Sequence, residues 1–229
     1  MKYKHLLFDA DDTLLDFQAS EQAALKGLFE SLGLTMTPSI INKYHEINHG
    51  LWAAFERGEV TKDQILQTRF RKLFEEIGFE VDRPNLEVEY QEMLASGHMV
   101  IPGTFELLDQ LRDHFELYIV SNGVASTQYN RLHASGLFPY FQNIFISEET
   151  GYQKPQIEFF HYVFDRIPNF DASKALIIGD SLSSDIQGGV NANIDTCWYN
   201  PRNLANNKGL EITKEVSSLE QICEIVFEN

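Results

Sequence analysis

The sequence has little cysteine, little positive charge and no long apolar run. Its two cysteines, Cys197 and Cys223, are too few for a disulfide framework, which favours a reducing compartment such as the cytoplasm. Because 34 acidic residues outnumber 18 basic ones and the net charge is −16, the surface repels nucleic-acid polymers and anionic membranes. No segment approaches membrane-spanning length, and the first predicted strand reaches Asp9 too early for a signal peptide. We therefore expect a soluble cytoplasmic protein with neither kind of partner, and the oligomeric state stays open.

The overall amino-acid composition is that of a globular protein. The 229 residues, 43% hydrophobic and 12% aromatic, suffice for one large domain or for a domain with an insert. In the second half, short apolar runs alternate with helical patterns; the predicted strands are Phe115–Val120, Ile144–Ser147, Ala175–Ile178 and Thr196–Tyr199, and the predicted helices are Ala125–Ser135, Gln156–Ile167, Ser183–Ala192 and Ser217–Val226. This alternation, together with the strand that ends at Asp9, predicts an α/β fold with a Rossmann-like parallel sheet covered on both faces.

The segment between the first strand and the second half has a different pattern. It shows helical periodicity and no convincing strand, and its predicted helices are Ser20–Leu32, Pro38–Arg57, Thr61–Ile77 and Pro84–Ala95. Pro38 and Pro84 suit the first turns of two of them. Because this block interrupts the strand–helix alternation, we predict an all-helical cap domain over residues 17–99, inserted into a core domain formed by residues 1–16 and 100–229.

Polar side chains follow four of the predicted strands. They are Asp9 and Asp11 after the first, Ser121-Asn122-Gly123 after the second, Lys154 in the loop after the third, and Gly179-Asp180 with Asp185 after the fourth. Ligands of open parallel sheets bind beyond the carboxyl ends of the strands, so we expect these side chains to converge. A chance convergence of four carboxylates, a hydroxyl and an ammonium is improbable, and the set therefore predicts a reaction centre.

The charges of this set indicate a metal ion. The carboxylates of Asp9, Asp11, Asp180 and Asp185 would repel one another and would repel any phosphate, and a divalent cation removes both problems. Ligands that are all oxygen favour a hard ion, so Mg²⁺ is expected rather than Zn²⁺, with Mn²⁺ as a possible substitute. Mg²⁺ commonly joins one or two carboxylates to a substrate phosphate, which predicts a small phosphate ester as substrate.

The remaining groups suit phosphoryl transfer. Lys154, Ser121 and the backbone amide of Asn122 are predicted to bind the phosphate, because they supply positive charge and hydrogen-bond donors at the start of a helix. A carboxylate can act as a nucleophile and form an aspartyl-phosphate. We predict that Asp9 attacks phosphorus, while Asp11 protonates the leaving alcohol and then accepts a proton from the hydrolytic water.

The four motifs resemble those of the haloacid dehalogenase superfamily in order and in separation. They are Asp9-x-Asp11-x-Thr13, Ser121-Asn122, Lys154-Pro155 and Gly179-Asp180-x4-Asp185. The resemblance covers nearly the whole chain and places that superfamily's helical cap where the helical block falls. It implies Asp9 as nucleophile, Asp11 as acid and base, and metal ligation by Asp9, Asp180 and the backbone carbonyl of Asp11, with Asp185 acting through water. The Asp11 carboxylate also distinguishes the chain from the true dehalogenases.

A further set of segments is similar to the bacterial pyrimidine 5′-nucleotidase branch of that superfamily. The segments are Phe8–Leu14, Leu51-Trp52, Arg69-Phe70, Ile146–Glu149 and Thr196–Trp198. This similarity implies dephosphorylation of nucleoside 5′-monophosphates. Phe17, next to the first strand, and Trp52, in the cap, are candidates for the substrate mouth, although aromatic residues of this kind more often fill a helical core.

Three other interpretations stay open. His45-Glu46-Ile47-Asn48-His49 matches the HExxH pattern of zinc hydrolases, but a polar helix face that carries two histidines is the favoured explanation, because nothing downstream supplies a clear third ligand. A sugar-phosphate phosphatase or phosphomutase would use the same machinery on another ester. A non-catalytic phosphoacceptor module would also use an aspartate and a lysine, but there Lys154 would not precede Asp180 and a large insert would not follow the first strand.

Overall fold

A computed structural model of the chain describes residues 1–228, which form two compact units. The α/β unit comprises Met1–Phe17 and the residues from His98 onward, and the helical unit comprises Gln18–Gly97. The chain therefore leaves the α/β unit shortly after the first strand and re-enters it eighty residues later. No helix in residues 1–228 combines the length and the apolar character needed to cross a membrane. That the helical unit acts as a cap stays a prediction.

The α/β unit is organised around a parallel sheet. Its strands are β1 His5–Phe8, β2 Glu116–Ser121, β3 Asn143–Ile146, β4 Ala175–Gly179, β5 Asp195–Tyr199 and β6 Lys214–Val216. They lie in the order β3-β2-β1-β4-β5-β6, and every neighbouring pair is parallel. All four residues of β1 and all five of β4 are buried, as strands covered on both faces require. The predicted α/β class is confirmed.

Six α-helices accompany the sheet in the described part of the α/β unit, together with two 3₁₀ helices and one π-helical turn. The six are numbered after the four of the helical unit: α5 Thr104–Leu111, α6 Ala125–Ser135, α7 Ser147–Thr150, α8 Ile157–Phe164, α9 Gln187–Asn191 and α10 Leu219–Phe227. The turns are 3₁₀ helices at Phe138–Tyr140 and Ala172–Lys174 and a π-helical turn at Leu182–Ile186. The predicted helix at Ser183–Ala192 is thus a π-helical turn followed by a short α-helix.

The two faces of the sheet are covered by different apolar clusters. Side chains alternate along a strand, so Leu6 and Phe8 of β1 pack in one cluster with residues of α5 and α10. Leu7 points to the opposite face and packs with Phe159 and Phe160 of α8. This central position of β1 fixes the residue that follows it, Asp9, at the middle of the sheet edge.

The helical unit has four helices among its described residues. They are α1 Phe17–Ser31, α2 Pro38–Glu56, α3 Lys62–Ile77 and α4 Leu86–Ala95. Thr61 begins α3 with a capping box, in which its hydroxyl accepts from the Gln64 amide at 3.2 Å and its own amide donates to the Gln64 side chain at 2.8 Å. Gly78 ends α3 in the left-handed conformation, with φ of 68°. Local sequence signals therefore account for both ends of this helix.

Candidate active site

The strand order brings three strand ends together at the centre of the sheet. β1 lies between β2 and β4, and the amide of Asp9 donates to the carbonyl of Ile178 at 2.9 Å. Asp9 is therefore flanked by Ser121 at the end of β2 and by Gly179-Asp180 at the end of β4. The connections reverse direction in the sheet between β1 and β4, which is where ligands of open α/β sheets bind.

Lys154 holds the centre of this edge. It is 1% exposed, and its ammonium donates to Asp9 Oδ1 at 2.7 Å, Asp185 Oδ1 at 2.6 Å and the Val120 carbonyl at 2.7 Å. An ammonium has three protons, so all its donors are used. Burial alone would lower the pKa of Lys154, but Asp185 and Asp9 raise it above its usual value. The side chain is therefore a permanent positive charge between two carboxylates.

Asn122 fixes the backbone of Lys154. Its side-chain amide donates to the Lys154 carbonyl at 2.9 Å and accepts from the Lys154 amide at 2.9 Å. This paired contact ties the loop after β3 to the end of β2. The Asn122 side chain thus positions the lysine, whereas a contact between its backbone amide and phosphate stays a prediction.

Three carboxylates form a cluster beside Lys154. Asp9, Asp180 and Asp185 each offer an oxygen, and these oxygens lie within 4.8 Å of one another; no other group of three or more such ligands is found in residues 1–228. Burial raises the pKa of Asp9 to about 8; Lys154 opposes this rise, while Asp185 and Asp11 add to it. Burial and the charge of Asp9 likewise raise the pKa of Asp180 well above its usual value.

This cluster fits a hard divalent cation. Three carboxylates face a single ammonium, so negative charge is in excess when all three are ionised. All the available ligand atoms of the cluster are oxygens, which favour a hard cation. Burial raises the pKa of Asp9 and of Asp180, and the neighbouring carboxylates add to the rise, so full ionisation of the cluster is unfavourable without a cation. Mg²⁺ suits such a donor set, whereas the nitrogen and sulfur ligands that Zn²⁺ prefers do not contribute to it.

The backbone around Asp180 and Asp185 is held by specific contacts. The indole of Trp198 on β5 donates to the Asp180 carbonyl at 2.8 Å, and the Ser181 amide donates to Asp185 Oδ2 at 3.1 Å. A Cβ at Gly179 would lie 2.3 Å from Asp185 Cγ, so only glycine leaves room for this carboxylate. Asp185 itself is fully buried and sits in the π-helical turn.

The carboxylate of Asp11 points toward helix α6 and not into the cluster. Gln128 donates to Asp11 Oδ2 at 2.8 Å, and Arg131 forms a short ion pair with Asp11 Oδ1. Gln128 also donates to the Ser121 hydroxyl at 2.8 Å. The sequence analysis did not single out Gln128 and Arg131, because only the fold brings helix α6 beside Asp11.

Asp12, Phe17 and Trp52 each have different contacts. Asp12, with φ of 56°, accepts from the Phe17 amide at 3.2 Å and so stabilises the turn that follows β1. Phe17 is half-buried, and the Arg131 guanidinium lies 5.5 Å from the centre of its ring. Trp52 belongs to the helical unit and packs edge-on against Phe55, with ring centres 5.6 Å apart. A place for Phe17 and Trp52 at the substrate mouth stays a prediction.

The HExxH segment lies on α2. The rings of His45 and His49 stack with centres 5.5 Å apart, and His45 Nε2 lies 3.2 Å from Glu21 Oε2. Glu46 is exposed and pairs with Lys43 at 2.9 Å. In residues 1–228 these histidines belong to no group of three ligands that could hold a metal. The geometry therefore favours the polar helix face over a zinc site.

Comparison with known proteins agrees with this arrangement. A family model described as haloacid dehalogenase-like hydrolase matches residues 6–199. The chain belongs to this family. As a haloacid dehalogenase-like hydrolase it is an enzyme, and the matched range begins in β1 and ends with β5, so it includes every polar strand end described above.

Several relatives of this haloacid dehalogenase-like hydrolase align over almost their full length. The putative HAD-hydrolase YfnB of Bacillus subtilis is 50% identical over 98% of this chain and 96% of its own. The pyrimidine 5′-nucleotidase PynA of Streptococcus pneumoniae is 41% identical over 100% and 97%, and the pyrimidine 5′-nucleotidase YjjG of Escherichia coli is 32% identical over 99% and 99%. The crystal structure of YfnB bound to magnesium covers 100% of both chains with a TM-score of 0.94, and interdomain movement is described for it.

Proposed function

We propose that this enzyme is a Mg²⁺-dependent phosphomonoesterase that acts through an aspartyl-phosphate on Asp9 and prefers nucleoside 5′-monophosphates, pyrimidine nucleotides first. The observation that carries the proposal is the position of Asp9. It follows the central strand, contacts Lys154 and shares a cluster with Asp180 and Asp185. The magnesium bound to the YfnB structure supports the choice of metal.

The residues of the chain can bind and orient a phosphate. Lys154 supplies positive charge, and the Ser121 hydroxyl, which already accepts from the Gly123 amide at 3.0 Å, keeps its own proton for an acceptor. Asp9, Asp180 and Asp185, with the backbone carbonyl of Asp11, would hold the metal. When bound, Mg²⁺ would neutralise the carboxylates and polarise the phosphoryl oxygens.

The two aspartates after β1 divide the chemistry. A carboxylate oxygen of Asp9 attacks phosphorus, the ester P–O bond breaks, and the carboxylic acid of Asp11 gives its proton to the departing alkoxide. Water then attacks the same phosphorus, Asp11 takes one of its protons, and the P–O bond to Asp9 breaks. Phosphate leaves, and both aspartates return to their starting states.

The relatives support the choice of substrate. PynA and YjjG are named as pyrimidine 5′-nucleotidases, and both align with this chain end to end. Such a monoester carries two negative charges, which suits a site that combines an ammonium with a bound cation. Sugar phosphates share this group, so they are the alternative substrates against which the nucleotides must be compared.

A phosphate-release assay over a panel of esters tests the proposal. The panel should contain UMP, dTMP, CMP, AMP, glucose 6-phosphate and β-glucose 1-phosphate, each with Mg²⁺, with Mn²⁺ and with a chelator. We expect the highest kcat/KM for pyrimidine monophosphates and activity only with a divalent cation. Phosphate release that is faster from sugar phosphates would overturn the substrate assignment, and isomerisation of glucose 1-phosphate without phosphate release would indicate a mutase.

The covalent intermediate needs a test of its own. In Asp11→Asn, a neutral amide can neither donate nor accept the required proton, so the phosphorylated enzyme should form slowly and persist. Intact-protein mass spectrometry after acid quench should then show one added phosphoryl group on Asp11→Asn and none on Asp9→Asn. A phosphorylated Asp9→Asn protein would refute Asp9 as the nucleophile. A long-lived phosphorylated wild type without turnover would instead indicate a phosphoacceptor module.

A further inference from the structure

The short helix α7 contacts the turn between β2 and α6, which comprises residues 122–124. Its first residue, Ser147, donates through its hydroxyl to the Asn122 carbonyl at 3.3 Å. The carboxylate of the next residue, Glu148, accepts from the Ala125 amide at 2.6 Å. One bond reaches the first residue of the turn and the other the residue just after it, so two side chains of α7 hold the turn at both ends.

The register of the sheet places α7 beside this turn. β2 and β3 are parallel neighbours, and Ser121, the last residue of β2, pairs with Ile146, the last residue of β3. The chain therefore leaves both strands at the same level, with Asn122 following one strand and Ser147 the other. The contacts between α7 and the turn are thus a direct consequence of strand pairing.

Glu148 supplies a cap that α6 lacks. The residue that precedes α6 is Val124, which has no side-chain oxygen and makes no capping hydrogen bond. The first amides of a helix have no partner within the helix, and the helix dipole favours a negative charge at this end. The carboxylate of Glu148 satisfies one of these amides, that of Ala125, from 23 residues away in the sequence. Glu148 therefore fixes where α6 begins and where the turn ends.

The bond from Ser147 reaches the proposed phosphate contacts through one peptide group. The Asn122 carbonyl and the Gly123 amide belong to the same planar unit, so a bond that orients the carbonyl also orients the amide. The Gly123 amide donates to the Ser121 hydroxyl oxygen at 3.0 Å. Ser147 therefore influences the direction of the Ser121 hydroxyl, which it does not itself contact.

We infer that Ser147 and Glu148 are positioning residues for phosphate binding. Ser147 orients the peptide group that orients the Ser121 hydroxyl, and Glu148 fixes the other end of the turn. The inference rests on the proposed function, since it takes the Ser121 hydroxyl and the Asn122 amide as phosphate contacts. It assigns to the segment after β3 a part in substrate binding that requires no contact with the substrate.

Four variants separate positioning from charge and from stability. They are Ser147→Ala, Glu148→Ala, the conservative Glu148→Gln and the control Glu149→Ala. Glutamine keeps an oxygen for the Ala125 amide but removes the charge. Glu149 is a matched control, because it lies on the same helix, is also exposed and carries the same charge, but accepts from the Tyr129 hydroxyl at 3.1 Å and not from the turn.

The measurement is the dissociation constant of inorganic phosphate in the presence of Mg²⁺, by isothermal titration calorimetry, together with KM and kcat for UMP. For Ser147→Ala and for Glu148→Ala we expect this constant to rise about 5-fold, the effect of one lost hydrogen bond or helix cap expressed wholly in phosphate affinity. KM should rise similarly and kcat should change less, because the phosphate is already bound in the ground state. Glu148→Gln should stay within about 2-fold of the wild type, and Glu149→Ala should equal it.

A lower unfolding midpoint in Ser147→Ala and Glu148→Ala with unchanged phosphate affinity would overturn the inference and leave α7 only a structural role. Tighter phosphate binding in both Glu148→Ala and Glu148→Gln would also overturn it, because the charge of Glu148 would then act on the phosphate by repulsion. Normal turnover by the wild type with equal phosphate affinity in all four variants would refute this inference alone. A wild type that releases no phosphate from any ester would instead refute the proposed function.

Discussion

The two units of this enzyme bury clusters of charged residues that differ in how they are neutralised. In the helical unit, Arg69 is 2% exposed and donates to Glu87 through two of its nitrogens, one of them at 2.9 Å, while a third donates to Asn48 at 3.3 Å. Asn48 in turn donates to the buried Glu21 at 3.2 Å. The ring of Tyr90 lies 4.5 Å from the guanidinium. This cluster is closed, because side chains of the same unit satisfy its charges.

The cluster in the α/β unit contains similar groups in a different ratio. Asp9, Asp180 and Asp185 face one ammonium, that of Lys154. In the free protein, burial raises the pKa of Asp9 and of Asp180, and the neighbouring carboxylates add to this rise. In the helical unit every charged group of the cluster has a hydrogen-bonding partner in the same unit, whereas the larger excess of carboxylates in the α/β unit suits the binding of a cation and a substrate. The four changes that follow test this distinction.

The largest effect is expected for Asp9→Asn. The amide is nearly isosteric but is not a nucleophile, so turnover should fall by about 10⁴-fold, equivalent to ~5 kcal/mol of transition-state stabilisation. Steady-state phosphate release measures this, and circular dichroism should show an unchanged fold. Asp12→Asn is the matched control: it keeps the oxygen that accepts from the Phe17 amide and should retain activity. Equal losses in the two variants would contradict a special role for Asp9.

In the helical unit the largest effect should be on stability. Arg69→Met removes the charged partner of Glu87, whose side chain is 21% exposed, and the donor to the buried Asn48, so the expected cost is about 1–3 kcal/mol. Thermal unfolding should show a lower midpoint. Arg57→Met is the control, since Arg57 pairs with Glu59 on the exposed surface at 2.7 Å, and its midpoint should not change. An unchanged midpoint in Arg69→Met would show that the closed cluster does not stabilise the unit.

Stability of the α/β unit should depend on pH and on metal. The folded pKa of Asp9 is raised to about 8, whereas an unfolded aspartate titrates near ~3.9. Between these values the folded state keeps a proton that the unfolded state has lost, so without divalent cations stability falls as pH rises across this interval. Thermal unfolding in chelator from about pH 5 to pH 8 measures the decline.

Magnesium should reverse that decline. At 100 times its dissociation constant a ligand adds ~2.7 kcal/mol, so the unfolding midpoint at neutral pH should rise when Mg²⁺ replaces the chelator. Asp180→Asn removes one ligand and one repelling charge, and it should diminish both the pH dependence and the response to Mg²⁺. A wild type whose midpoint ignores Mg²⁺ would argue against the cation site.

A smaller loss is expected for Gly179→Ala. The added Cβ would lie 2.3 Å from the Asp185 carboxyl carbon, so the π-helical turn must shift at a cost of about 1–3 kcal/mol. Mg²⁺ affinity should fall together with the unfolding midpoint. Gly50→Ala provides the contrast, because nothing lies within 4 Å of its added Cβ on α2, and alanine should stabilise that helix slightly. A Gly179→Ala protein with normal Mg²⁺ affinity would show that Asp185 does not need this space.

The sequence allowed the sheet to be predicted because its strands are apolar runs between clear turns. Helix α6 was predicted with the bounds that the structure has, Ala125–Ser135. Strand β6 was missed: it has three residues, of which only Val216 is buried, and this is too short to show a period. The π-helical turn was missed because apolar spacing does not distinguish it from an α-helix.

The candidate site could be predicted only as far as topology determines it. Parallel strands place Asp9, Ser121 and Asp180 at one edge, and strand patterns reveal this. The contacts of Gln128 and Arg131 with Asp11 join side chains across a sequence separation of more than one hundred residues, which no local pattern encodes. The side chain of Asn122 binds the backbone of Lys154 across a shorter separation of 32 residues, and it was predicted only as a phosphate contact.

Because the indole of Trp198 donates a hydrogen bond to the Asp180 carbonyl, its fluorescence can report on the candidate active site. The chain has two tryptophans, and the other, Trp52, belongs to the helical unit. In the Trp52→Phe variant all tryptophan fluorescence arises from Trp198, whose ring is hydrogen-bonded to the backbone of a proposed metal ligand. A titration with Mg²⁺ should therefore change the intensity or the wavelength of this fluorescence. Trp198→Phe leaves the other ring alone and reports on the helical unit. One chain therefore carries a separate fluorescent reporter for each of its units.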